Sequence, residues 1–124
     1  MNDDTPGDGS VTNMDLLVAG PFTVQGKCAD NLSGSGVDQA VVRVLSAPDG
    51  SSFVGLRSDG VATNLVDFFQ ADVVHVGAFS PISEIGWGTL TVAAVNGEVL
   101  DVNASAELHD PAGDCVFAVT AIGP

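Results

Sequence analysis

The chain holds no tyrosine, one tryptophan, two cysteines, two histidines and only three basic residues in 124 positions. Each scarcity excludes something. Lys27, Arg43 and Arg57 cannot build the basic footprint that a nucleic-acid partner requires, so none is expected. With a single tryptophan, no aromatic platform for stacking sugars or bases is visible. Cys28 and Cys115 fit neither a zinc spacing nor a C-x-x-C redox motif. His75 lies in a valine-rich run and His109 stands beside Asp110, which leaves little for a Ser-His-Asp group. The stretch Ser33-Gly34-Ser35-Gly36 also lacks the nucleophile-elbow pattern. No catalytic residue and no cofactor is therefore expected. No apolar run approaches the ~20 residues of a membrane span. No collagen or heptad period appears, nor any other internal repeat.

What is abundant is apolar surface and aspartate. Hydrophobic residues make up 45% of the chain and charged residues 15%, with a net charge of −13. Mean hydropathy is nevertheless +0.34. Of the sixteen acids, thirteen are Asp and three are Glu (Glu84, Glu98 and Glu107). Aspartate favours turns, where its carboxylate accepts from nearby backbone N–H groups. The reading is an acidic globular domain whose charge sits in loops, repelling nucleic acid and anionic lipid. Those loops offer oxygen ligands to calcium, at Asp110 with Asp114 or at Asp30, Asn31 and Asp38. Ordinary Asx turns account for the same residues, and no metal site is assigned. Asn31 and Asn103 each begin an N-glycosylation triplet, although Asn103 falls inside a predicted strand.

The pattern along the chain is that of strands and turns. Residues 1–10 read as a disordered leader or linker and residues 11–124 as a single β-sandwich domain. Strands are expected over 11–19, 22–28, 39–46, 52–57, 72–79, 85–95, 98–108 and 115–122. Pro48-Asp49-Gly50 is expected to join two of them as a hairpin, and 63–71 fits a short helix or a strand equally. About eight strands with turn signals every 8–12 residues predict an all-β fold, an antiparallel β-sandwich or jelly roll. Asn96-Gly97 marks a hairpin, taken as a two-residue loop with Val95 opposite Glu98. In that register Trp87, Leu100 and Val102 share one face, assigned to the core, while Leu90, Val92 and Val99 lie on the other.

Cys28 shares parity with Phe22 and Val24, and Cys115 with Phe117 and Val119, so both cysteines are expected to point inward. They are assigned to an inter-sheet disulfide, with two buried free thiols as the alternative. A disulfide implies an oxidising compartment, hence a secreted or cell-surface protein. The opening lacks a signal-peptide pattern, so the chain reads as a mature fragment or as one given an added initiating methionine.

Gly20-Pro21-Phe22-Thr23-Val24, then Cys28, and finally Asp114-Cys115-Val116-Phe117 resemble the ends of secreted β-domains of actinobacterial-type surface proteins, some of which accompany collagen-like stalks. The resemblance covers the two ends of the chain. It implies a secreted, cysteine-bridged β-fold and no particular activity.

The functional expectation is a non-enzymatic extracellular β-domain with a structural or assembly role, the alternative being a calcium-dependent, lectin-like module whose ligand is unknown. Several strands carry apolar residues on both faces, among them 41–45 and 73–76. Something should cover the second face, and a copy of the same chain is the simplest cover. The expectation is a homo-oligomer, trimer ahead of dimer, meeting through Leu90, Val92 and Val99.

Overall fold

A computed structural model describes residues 2–3, 11–29, 37–46, 50–79, 84–109 and 114–123. The described residues form ten strands: β1 (Asn2–Asp3), β2 (Val11–Ala19), β3 (Phe22–Ala29), β4 (Val37–Ser46), β5 (Ser51–Arg57), β6 (Ala62–Phe68), β7 (Gln70–Phe79), β8 (Glu84–Ala93), β9 (Val99–His109) and β10 (Asp114–Ile122). They make two antiparallel sheets, β1-β10-β9-β8-β5-β6 and β2-β3-β4-β7. This is the expected β-sandwich. Asn2 and Asp3, inside the expected leader, pair with Val116 and Cys115 as a short edge strand. The ambiguous 63–71 segment is extended, not helical.

The core lies between the sheets, lined by alternate residues as a half-buried strand requires. Phe22, Val24 and Cys28 contribute from β3, Val42 and Val44 from β4, and Phe53 from β5. Leu90 and Val92 come from β8, Leu100, Val102 and Leu108 from β9, and Cys115 and Phe117 from β10. The expected disulfide is present: Cys28 and Cys115 are bonded, with Cα atoms 5.8 Å apart, and tie β3 to β10 across the two sheets.

Pro48-Asp49-Gly50 does not close a hairpin. β4 pairs with β3 and β7, whereas β5 pairs with β6 and β8, so the chain changes sheet between Ser46 and Ser51. It changes back between β6 and β7, at the same corner. Ser46 N–H donates to the Phe69 carbonyl and Gly50 N–H to the Phe68 carbonyl, so the two crossings brace each other. The Ser46 and Ser51 hydroxyls, both buried, satisfy one another at 2.6 Å.

The β8–β9 hairpin exists, but its register differs from the expected one. Ala93 pairs with Val99, not with Leu100, and Trp87 pairs with Ser105. The cause is the turn. Gly97 N–H donates to the Ala94 carbonyl and Ala94 N–H to the Glu98 carbonyl, which leaves Val95, Asn96 and Gly97 as a three-residue loop. Gly97 takes the left-handed conformation, φ +90°, that closes such a loop. One additional loop residue moves every β8 side chain to the opposite face. Trp87 therefore faces solvent, and Leu90 and Val92 face the core.

The β5–β6 turn is built the same way. Gly60 N–H donates to Arg57 and Arg57 N–H to the Val61 carbonyl, with Gly60 at φ +87°. In each loop the middle side chain accepts from the backbone two residues on: Asp59 from Val61 N–H at 3.1 Å, and Asn96 from Glu98 N–H at 3.0 Å. The Arg57 guanidinium also grips Asp59, at 2.7 Å. That contact leads in holding the Asp59 carboxyl below the usual aspartate range.

Candidate recognition surface

The register correction gives the six-stranded sheet an outer face with a definite composition. Across β8, β9 and β10, Trp87 neighbours Ser105, which neighbours Ala118. The next row is Thr89, Asn103 and Thr120. These side chains line an open groove of about 410 Å³, completed by the backbone of Gly88, Ala104 and Val119. Trp87 forms a wall, 57% exposed, and the row beside it falls away to Ser105 and Ala118. Among the described residues, no charged side chain lines the groove.

The backbone of Trp87 is fixed from both sides. Its N–H donates to the Ser58 hydroxyl at 2.9 Å, and its carbonyl accepts from Ser58 N–H at 2.7 Å. The β5–β6 turn thus anchors the strand under the tryptophan. On the inward side, Gly86 and Gly88 flank it because β7 passes close by. A Cβ at Gly86 would lie 2.6 Å from Val76 Cγ2, and one at Gly88 would fall on the Val73 carbonyl oxygen. Above the groove, Asp101 accepts from the Thr91 hydroxyl at 2.6 Å.

No family model, curated protein or solved structure matches this chain.

The residues expected to carry self-association separate in the structure. Leu90 is 2% exposed and Val92 is fully buried in the core, so neither can meet a partner, while Val99 is 44% exposed. The register shift described above is the reason. The expected apolar surface exists elsewhere, at the β5–β6 end of the same sheet: Val54, Leu56, Val61, Val66 and Phe68 are all exposed. Among the described residues, β5 is the one strand that pairs with β6, which leaves its other edge open.

His75 lies on the outer side of β7, half-buried, with its Nε2 3.2 Å from the Gln39 amide nitrogen. His109 ends β9. Ser33 to Gly36, Asp30, Asn31 and Asp110 lie outside the described residues. Among the described residues, no three of His, Cys, Asp or Glu stand together as a metal site. Asn103, noted as a glycosylation triplet, lies in β9 and lines the groove. A second concavity of about 330 Å³ lies by Asp15, Gln25, Leu45 and Phe69.

The sequence reading missed Trp87 because the apolar sum of its face favoured burial. The signal it passed over is the pair Gly86 and Gly88. Glycine inside a strand marks the close approach of another backbone, which makes the glycine face the inner one.

Proposed function

We propose that this chain is a non-enzymatic extracellular β-domain with an assembly role, self-associating through the β6 edge. The disulfide supports the extracellular setting, since such bonds persist in oxidising compartments. The single observation that carries the assembly reading is the character of that edge. Native edge strands are blunted by lysine, proline or bulges, or are covered. β6 has neither lysine nor proline, and its Ala62–Leu65 stretch pairs with β5 in regular register. It is bordered by exposed Val54, Leu56 and Val66. The edges differ in where they are interrupted. β2 and β7 are irregular within the strand, at Leu16 and Val73, and β10 carries β1, whereas the irregularity of β6 is confined to its Leu65–Phe68 end. Antiparallel pairing of β6 with β6 of a second copy satisfies both edges about a two-fold axis, the commonest symmetry of soluble oligomers.

The test is light scattering on a size-exclusion column. The wild-type chain should elute at twice 12.5 kDa, and Val66→Lys should return it to 12.5 kDa with an unchanged far-UV circular dichroism spectrum. A wild-type mass of 12.5 kDa at about 50 µM protein overturns the reading.

A further inference from the structure

The groove across β8, β9 and β10 is separated from the β6 edge by β5 and has a different chemistry. We propose that it binds a neutral carbohydrate, with Trp87 as the stacking wall and Asn103, Thr89, Thr120 and Ser105 as hydrogen-bonding partners.

A sugar ring presents an apolar C–H face and a rim of hydroxyl groups that both donate and accept. An exposed indole supplies the surface for the first. Asn103 offers a carbonyl acceptor and two N–H donors, and each hydroxyl of Thr89, Thr120 and Ser105 can play either part. The two kinds of group stand on adjacent rows, because Trp87–Ser105–Ala118 and Thr89–Asn103–Thr120 are neighbouring registers of the same three strands. Ala118 and Ser105 are small, so the space beside the indole stays open. The volume of about 410 Å³ lies in the ~300–1,000 Å³ range of small-molecule sites. The strand beneath is pinned by the two Ser58 hydrogen bonds, so the wall needs no ordering of its backbone on binding.

Charge selects among occupants. Among the described residues the groove is lined without a charged side chain, in a chain of net charge −13. Anionic glycans and nucleic acids are repelled and find no cation to pair with. An apolar peptide would cover Asn103, Thr89 and Thr120 without satisfying them. A second copy meeting face to face would set groove against groove, leaving a void. A neutral polyhydroxylated ring fits every group present.

Trp87 is the only tryptophan and the chain has no tyrosine, so intrinsic fluorescence reads this site alone. The full chain is titrated with neutral hexasaccharides of β-1,4-glucose, β-1,3-glucose, α-1,4-glucose and β-1,4-mannose, with polygalacturonate as the charged control. At least one neutral hexasaccharide should shift the emission saturably, with a dissociation constant below about 1 mM, and polygalacturonate should not. Affinity measured by calorimetry should fall at least tenfold in Trp87→Ala and severalfold in Asn103→Ala, and largely persist in Trp87→Phe. Val66→Lys should bind like the wild type, whatever its oligomeric state, which separates this site from the edge contact. No response to any of the four at about 10 mM overturns the proposal. So does a response only to polygalacturonate, or an emission shift that follows protein concentration without sugar, together with a dimer that Trp87→Ala returns to monomer by light scattering.

Discussion

A methyl group added at Gly88 would fall on the carbonyl oxygen of Val73, whereas one added at Gly97 would meet nothing within 4 Å. Both positions are glycine, for opposite reasons. Gly97 needs only its backbone conformation, φ +90°, which costs an ordinary residue roughly 1–2 kcal/mol. Gly88 needs space, because β7 passes directly behind it and a backbone oxygen cannot rotate aside as a side chain can. Gly97→Ala should therefore lower stability by about 1 kcal/mol with the fold intact. Gly88→Ala should cost at least about 3 kcal/mol, since β7 and β8 must part. Urea denaturation of the two variants beside the wild type measures the order, and equal midpoints for the two would contradict it. Gly88, with Gly86, also explains the exposure of Trp87. The glycines on either side of it mark where a strand of the opposite sheet lies, not where a side chain is dispensable.

At the scale of the strand pair, one residue of loop length decides which half of β8 is core. Asn96-Gly97 is legible as a turn from sequence, and the hairpin follows from it. The choice between a two- and a three-residue loop is not legible, because Asn-Gly serves a tight turn of either length. Apolar counting then favoured the wrong face, since Ile85 and Trp87 outweigh two glycines. Leu100 and Val102 on β9 were placed inward correctly, because that strand alternates without ambiguity. Deleting Val95 makes the point testable. It would leave Asn96-Gly97 as a two-residue loop that still sets Ala94 opposite Glu98, so every β8–β9 pair is kept and Trp87 stays outside. The variant should keep a solvent-exposed tryptophan emission and change stability by less than about 1 kcal/mol. A shift to a buried emission would show that the Ala94–Glu98 pair does not set the register. Apart from β1 and β6, strand positions are readable from alternation, as is the cysteine pair. The change of sheet at Ser46 and Ser51 was not, because a Pro-Asp-Gly turn reverses the chain whether it stays in one sheet or crosses to the next.

At the scale of the whole molecule, two sheets share one core and one covalent link. Alternation and turn spacing made the sandwich legible. The outer-face groove was not, because it joins residues from three strands whose registers depend on the loop just described. Closing 87 residues contributes roughly 4–5 kcal/mol in the chain-entropy model. The Cys28→Ala, Cys115→Ala double variant should lose about 2–5 kcal/mol in chemical denaturation, and an unchanged midpoint would show that the bond constrains little. The same bond has a consequence for proteolysis. Every connection from β3 onward to β10 lies between positions 28 and 115, inside one covalent ring, and the Gly20-Pro21 turn alone of the β2-to-β10 turns lies outside it. A protease that cuts once in any of the enclosed loops opens the ring without dividing the molecule. The nicked protein should keep its electrophoretic mass until a reductant splits it in two, whereas a cut at the Gly20-Pro21 turn should free a peptide in denaturant at once.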